Sequence, residues 1–569
     1  MFKNAYYDTK RSKMHLWTEE GHEKIDWVPY VFIDDPLNGN TKNLNGDKVS
    51  KKTFDSYNEY YSFQKDNYSL YENKVRPEIQ FLTERYYETP DEDIPTPKLL
   101  IYYLDIEVNY EQEFPKPSLA KYPICLISIR NSVTEKTVTF GEKEYTGDMK
   151  EDVTYVHCPD ESELLRKFFT YMANNAPDVI SGWNVDKFDL AYLINRDKKI
   201  NAGKYFNLLS PINMVKTWQS KDGGVNIDIA GITIVDYMFL YKWYSPNNLE
   251  SYKLDFVSNF ELDVGKLDYS EAAVDLRELY QNDWNTYVDY NIIDCKRVNE
   301  LGRKLGYIRL VQAFSLLTKV PMKYYDKATQ LVEGLMLVHA RRNDLCVPRL
   351  VGGSQETFEA AWVKEPQKGK HSWLFSVDIA SSYPSHIIVM NMSVETYFGR
   401  ILGIHEGGIM QYLKNGEDLP EFGLSKGDGE GPVMMKGNKL KSFNIAIKKG
   451  LFSVAPCGTV FINNKPGIIS TVERTVFFKR KQIKGMMKEA KGEERERLFA
   501  FQWALKILLN SVYGAMAVPY SRYYNQDIAE AITSGGRYTI RSSEKFANEI
   551  MNNPDEGFLK IIEGIKEKY

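Results

Sequence analysis

At 569 residues the chain is long enough for about three to five domains, each with its own core. Hydrophobic content of 43% and charged content of 26% are those of a globular protein. A net charge of −4 excludes a globally basic nucleic-acid coat, so any nucleic-acid contact must come from local patches.

Five scattered cysteines (125, 158, 295, 346, 457), with no Cys-x-x-Cys, suggest neither a disulfide framework nor a zinc site and fit a reducing cytosol. The 39 tyrosines and 28 phenylalanines could supply stacking surfaces for bases, although half-buried tyrosine in sheets accounts for most of them. The opening MFKNAYYDTKRSKMHLW lacks an apolar run, so no signal peptide is expected. No stretch approaches the roughly eighteen apolar residues of a membrane span.

Residues 1–98 read as short strands and turns, Val28 to Ile33 among them, with Asn/Gly/Asp punctuation at 35–47. The Pro-rich acidic segment 88–97 reads as a domain linker. From Leu99 the texture becomes α/β: strands at Leu99–Val108 and Ile124–Ile129, a helix near Asp160–Asn175, a strand at Asp178–Ser181, and further helices to residue 305. Asp222-Gly223-Gly224 is predicted to be a β-hairpin tip. Residues 306–350 read as helical, and a strand at Trp373–Asp378 opens a second α/β region broken by the Gly- and Lys-rich stretch 404–450. Thr471–Lys491 and Glu493–Tyr513 are predicted as an antiparallel helix pair, followed by a helix at Asp527–Asn552 and a closing helix at 558–569.

Three acidic stretches stand out. In a strand, residues i and i+2 share a face, so Asp105 and Glu107 point together from an apolar run. Two such charges in a buried sheet persist only if a cation or a pKa shift relieves them; the bland alternative is a solvated strand edge. Asp189 lies where a turn runs into a helix, and taken alone it could be an N-cap. Tyr290 and Asp294, four apart on a helix, share a face, which by itself is also an ordinary polar surface. Together Asp105, Glu107, Asp189 and Asp294 are the ligand set that two Mg²⁺ or Mn²⁺ ions need to activate water and stabilise a leaving 3′ oxygen, with the Tyr290 phenol placed to orient the water.

Asp378 ends the second predicted strand, before a turn containing Tyr383 and Pro384. On helices, Lys506, Asn510 and Tyr513 share one face, as do Arg480 and Lys484. Arg480, Lys484 and Lys506 could converge on a triphosphate, whereas Lys479, Lys481 and Lys488 read as a solvated basic face.

The order and wording of these stretches resemble the family B DNA polymerases. Asp105 and Glu107 fall on the first motif of that family's DEDDy-type 3′→5′ exonuclease domain, Asp189 on the second, and Tyr290 with Asp294 on the third. Asp378–Ser385 resembles polymerase motif A (DxxSLYPS), Lys506–Gly514 resembles motif B (KxxxNSxYG), and Phe478–Lys484 resembles the upstream fingers helix. Segments 114–121, 251–256 and 362–366 look most like T-even-type bacteriophage polymerases, and the resemblance runs from about residue 20 to the C-terminus.

The resemblance implies an α/β multidomain protein: an N-terminal mixed β domain (1–98), an RNase H-like exonuclease domain (99–305), a helical return segment of the N-terminal domain (306–350), a first part of the palm (351–466), two-helix fingers (467–518) and a truncated second part of the palm (519–569), without a thumb. By the same resemblance Asp378 and the Ile379 carbonyl bind metal, and Ser381, Ser382, Tyr383, Arg480, Lys484, Lys506 and Asn510 contact the nucleotide, Tyr383 rejecting ribose by steric clash. Tyr513 and Gly514 are assigned to DNA, and each site would use two Mg²⁺ or Mn²⁺ ions.

Two positions depart from the pattern. Ser382 stands where the family has Leu, and no Asp-Thr-Asp motif C, the source of the second palm aspartate, occurs in the 569 residues. The expectation is therefore the N-terminal subunit of a split DNA-directed DNA polymerase with proofreading exonuclease, polymerising only with a second chain that carries motif C and thumb. A stand-alone exonuclease with a decayed polymerase half and a non-catalytic DNA-binding platform are the alternatives. Expected partners are primer-template DNA, dNTPs, the second subunit, and a sliding clamp and single-strand binding protein, without a membrane, in the cytoplasm of an infected host cell.

Overall fold

The computed structural model describes residues 1–67, 69–91, 94–111, 113–219, 224–264, 275–353, 357–366, 368–370, 378–427 and 429–552. The expected hairpin tip at 222–224, strand at 373–378 and helix at 558–569 fall wholly or largely outside them. The chain divides into two compact units, one of residues 1–28, 77–82 and 89–326, the other of residues 29–76, 83–88 and 327–569.

The first unit is built on a six-stranded mixed sheet. Its strands are β1 (Ile101–Val108), β2 (Ile124–Asn131), β3 (Thr137–Gly141), β4 (Val153–His157), β5 (Val179–Gly182) and β6 (Thr233–Asp236), in the spatial order β4-β3-β2-β1-β5-β6. β1 runs antiparallel to β2 and parallel to β5, and β5 runs parallel to β6. Leu104, Ile106 and Val108 on one face of β1 enter a core with helix α1 (Glu161–Asn174) and helix α2 (Asp189–Ile200). In α1, Leu164, Leu165, Phe168, Phe169 and Met172 recur at helical spacing and are all buried, while Asp160 caps the helix by accepting from Glu163 N at 2.9 Å. Each such large apolar side chain stabilises by about 1.5–3 kcal/mol. The helix α3 (Trp284–Leu305) lies across β1 and β2. The predicted hairpin strands are Val215–Gln219 and Val225–Ile229, paired antiparallel.

In the second unit, helix α4 (Ser382–Val389) precedes a five-stranded antiparallel sheet. Its strands are β7 (Tyr397–Leu402), β8 (Phe422–Ser425), β9 (Val433–Met435), β10 (Phe452–Val454) and β11 (Thr459–Ile462), ordered β9-β8-β7-β11-β10. The stretch 404–450 therefore does not interrupt the fold. It holds a helix at Glu406–Asn415, two strands and helix α5 (Gly437–Lys448), because Phe422, Leu424, Met435 and Phe443 bury against Ile401, Val454 and Val460. The expected helix pair is present as α6 (Ile468–Glu489) and α7 (Gly492–Ala517), in contact along buried Ile469, Val472, Val476, Leu498, Phe501, Leu505 and Leu508. Helix α8 covers Gln526–Asn552.

Residues 1–98 also hold two helices that the strand-and-turn reading passed over, Tyr57–Asp66 and Pro77–Tyr86. Their start signals are in the sequence: Ser56 accepts from Glu59 N at 3.2 Å, Glu59 accepts in return from Asp55 N at 3.0 Å, and Pro77 occupies the first helical position.

One buried cation ties four segments of the second unit together. Arg522 donates to Glu333 Oε1 at 2.6 Å, to the Pro348 carbonyl at 2.6 Å and to the Asn73 carbonyl at 3.0 Å. Arg522→Met leaves Glu333 buried without its partner and is expected to lower stability by about 3–5 kcal/mol. The double change Arg522→Met with Glu333→Leu should recover much of that loss. Denaturant titration checks both, and a single substitution costing under ~1 kcal/mol would contradict the assignment.

Candidate active site

The first-unit site grows out of strand alternation. With Leu104, Ile106 and Val108 turned into the core, Asp105 and Glu107 necessarily occupy the other face of β1, and both are half-buried there. The pairing of β1 with β5 ends at Tyr103–Ser181, which leaves the Ile106 N–H without a strand partner on that side. Asp189 Oδ1 takes that N–H at 3.0 Å. Asp189 is the first residue of α2 and almost fully buried, and Phe188, not Asp189, is the helix N-cap. Gly182 lets the end of β5 approach β1, since a Cβ there would stand 2.5 Å from the Leu104 carbonyl oxygen.

The opposite wall is α3. Tyr287, Asn291 and Asp294, spaced four and three apart, face the strand together with Tyr290. Asn291 donates to Asp105 Oδ2 at 2.5 Å, and Tyr287 OH donates to Glu107 Oε2 at 3.5 Å. Asn291 is fully buried, and its Oδ1 has no hydrogen-bond partner among the described residues. Asn291 and Tyr287 were not among the sequence candidates; the periodicity that selects Tyr290 and Asp294 also selects them.

The electrostatics are one-sided. Burial holds the Asp105 carboxyl well above its usual range and the Asp189 charge adds to the rise, against the Asn291 hydrogen bond. Glu107 is pushed up by burial and by Asp105, Asp294 and Asp189. Asp294 is raised by burial, Asp105 and Asp255, and is relieved in part by Arg297 and by a hydrogen bond from Tyr290. Asp189 is pushed up to about 8, chiefly by burial, with the Ile106 N–H opposing. Burial and the Asp294 charge raise the Tyr290 phenol as well. The structure thus brings all five exonuclease candidates together.

No three His, Cys, Asp or Glu among the described residues close into a ready cage for an ion. The chemistry of the donor set is compatible with a hard dication: four mutually repelling carboxylates are opposed by a few hydrogen bonds and, at Asp294, by the Arg297 charge.

The polymerase candidates lie in the second unit. Asp378 is exposed, Ile379 is half-buried, and Ser381, in the left-handed region at φ 53°, turns the chain into α4. Ser382 begins α4, and its buried hydroxyl has no hydrogen-bond partner among the described residues. Tyr383 packs against Tyr513 with ring centroids 4.9 Å apart, and a Cβ on Gly536 would stand 3.1 Å from the Tyr383 ring. Lys484, Lys506 and Asn510 are exposed on α6 and α7. Arg480 is half-buried, and burial lowers its pKa. Gly514 has open space where a side chain would stand. Among the described residues, no hydrogen bond or ion pair joins Asp378 to Arg480, Lys484, Lys506 or Asn510. The structure brings Tyr383 onto Tyr513.

Comparison with known proteins matches two stretches of the chain. Residues 52–257 match the family described as "DNA polymerase family B, exonuclease domain", and residues 319–563 match "DNA polymerase family B". Tyr290 and Asp294 lie outside both matched segments. The chain is similar to the DNA-directed DNA polymerase of Escherichia phage RB69, 26% identical over 536 residues that cover 80% of this chain and 55% of the relative. It is 27% identical to the DNA-directed DNA polymerase of Enterobacteria phage T4 over 507 residues, 80% of this chain and 56% of the relative. A DNA polymerase of Pyrococcus glycovorans is 25% identical over 496 residues, 82% of this chain and 54% of the relative. The chain thus spans about half the length of the curated relatives it matches.

A carboxyl with a raised folded-state pKa stabilises the fold when protonated, and that stability is lost as pH climbs from the ordinary value near ~4 through the raised one. With Asp189 at about 8, thermal unfolding in chelator should shift to lower temperature between about pH 4 and pH 8. Added Mg²⁺ should restore it most at the alkaline end, and Asp105→Asn should raise the chelator value at pH 8 by a few degrees. A melting temperature indifferent to both pH and Mg²⁺ would contradict the cluster.

Proposed function

The chain belongs to the family B DNA polymerases, and from that membership we propose that its first unit is a 3′→5′ exonuclease acting on single-stranded DNA ends. The observation that carries the proposal is the convergence of Asp105, Glu107, Asp189 and Asp294 in one buried cluster with almost no compensating charge. These four residues would hold two Mg²⁺ or Mn²⁺ ions, which when bound supply an activated water and stabilise the leaving 3′ oxygen. Tyr290, hydrogen-bonded to Asp294, orients the attacking water, and Asn291 fixes the Asp105 carboxylate.

For the second unit we propose the nucleotide site of a DNA-directed DNA polymerase that takes primer-template DNA and dNTPs. Asp378 and the Ile379 carbonyl would be its metal ligands, Tyr383 would form the floor under the incoming sugar, and Arg480, Lys484, Lys506 and Asn510 would receive the triphosphate. Ser381 and Ser382 would complete the nucleotide lining, and Tyr513 and Gly514 would contact DNA. The Tyr383–Tyr513 contact and the cations on α6 and α7 support this reading. The proposed division is an N-terminal domain at 1–98, an RNase H-like exonuclease at 99–305, a helical return at 306–350, palm at 351–466 and 519–569, and two-helix fingers at 467–518. Two-metal phosphoryl transfer needs carboxylates on both sides of the phosphorus, and no Asp-Thr-Asp occurs in these residues. We therefore propose that polymerisation needs, besides these residues, a segment bearing motif C and thumb, and that clamp and single-strand binding protein act on the assembly. The phage origin of the relatives RB69 and T4 supports action in the cytoplasm of an infected cell, and among the described residues no helix is long and apolar enough to cross a membrane.

Purified chain in Mg²⁺ should shorten 5′-labelled single-stranded DNA from its 3′ end, and Asp105→Ala with Glu107→Ala should reduce the rate at least about 100-fold. On a primed template, extension by these 569 residues should require an added polypeptide bearing motif C and thumb. Unchanged degradation by the double variant would overturn the exonuclease reading, and extension by the 569 residues alone would overturn the need for motif C.

A further inference from the structure

We infer a second nucleic-acid contact, a pocket beside α5 that takes an unpaired base of single-stranded DNA. The pocket has a volume of about 470 Å³. Phe398, Phe443 and Phe452 form its floor, with Phe452 ring centroids 4.8 Å from Phe398 and 5.2 Å from Phe443. Asn438, Lys439 and Ser442, on one face of α5, form its wall. Phe443 is held by the unit's core, whereas Phe398 and Phe452 are half-buried and leave ring surface toward the pocket.

The surrounding charge selects the occupant. Residues 426–449 carry six lysines against two acids, in a chain whose net charge is −4. Lys448 is paired with Asp418 at 2.7 Å, but among the described residues Lys436, Lys439 and Lys441 make no ion pair. All three are exposed. An aromatic floor, an amide and a hydroxyl able to meet a base edge, and unpaired cations for the flanking phosphates are the elements of sequence-tolerant single-strand binding. A duplex keeps its bases stacked inside and cannot present one to this floor. This inference rests on reading the chain as a DNA-processing enzyme, but it uses none of the residues of the two sites above.

The test is fluorescence anisotropy of the full chain with a labelled oligo-dT in EDTA, across a salt series, alongside exonuclease turnover at saturating substrate. Lys439→Ala with Lys441→Ala should weaken oligo-dT about 5- to 10-fold and flatten the log–log salt dependence by about 0.7 for each phosphate no longer neutralised. Phe452→Leu should weaken it with little change in slope, and exonuclease turnover should stay unchanged in both variants. An oligonucleotide carrying 5-iododeoxyuridine should photo-crosslink to a peptide containing Phe398 or Phe452, which reports on the unmodified chain even if a variant folds poorly. Unchanged affinity, unchanged salt slope and no crosslink, with turnover intact, would overturn the pocket alone. Loss of poly-glutamate binding in the lysine variant without loss of oligo-dT would also overturn it, in favour of an acidic protein partner. Failure of the unmodified chain both to bind and to degrade oligo-dT would overturn the DNA-processing reading together with the pocket.

Discussion

Four carboxyl groups crowded between one strand and two helices are the constraint around which the first unit is organised. Strand alternation in β1 forces Asp105 and Glu107 out of the core and onto the face that α3 covers. The early end of the β1–β5 ladder hands Asp189 a backbone N–H, and helical spacing adds Asp294. None of these placements is favourable for an ionised carboxylate without a counter-charge. The fold accepts that cost where a dication and a phosphodiester can later remove it, a pattern in which perturbed carboxyls and function coincide.

The neighbours of those carboxylates matter as much as the carboxylates. Asn291 and Tyr287 limit where Asp105 and Glu107 can move, and Arg297 tempers Asp294 without neutralising the group. A stronger cation in the cluster would occupy the place of the metal. The second unit uses its strong ion pairs for architecture instead. Arg522 with Glu333, Arg341 with Glu72, and Arg400 with Asp527 and Glu530 join segments distant in sequence, while Lys484 and Lys506 are left in solvent.

Much of this was legible in the sequence because two periodicities carry it. The period of two put Asp105 with Glu107, and the period of 3.6 put Tyr290 with Asp294 and laid out α1, α6, α7 and α8 to within a few residues. What escaped was encoded differently. The helices at 57–66 and 77–86 are announced by caps at Ser56 and Pro77 and have only weak apolar stripes. The 404–450 stretch looked like a break because Gly and Lys dominate its composition, whereas a few large residues, Phe422, Leu424 and Phe443, fix its fold. Asn291 was invisible as a candidate because an amide beside a carboxylate motif gains meaning only when the strand it faces is known. Asp189 could be read as a cap until the free N–H of Ile106 was located.

The central claim is that the raised carboxyls exist to be relieved by divalent ions. Calorimetric titration of Mn²⁺ into the chain near pH 7, repeated in buffers of different ionisation enthalpy, measures both ions bound and protons released. The account predicts two ions per chain in the first unit, with protons expelled as Asp105, Glu107, Asp189 and Asp294 ionise, and loss of both signals in a chain lacking Asp105 and Glu107. Binding without proton release, or no binding at all, would contradict it.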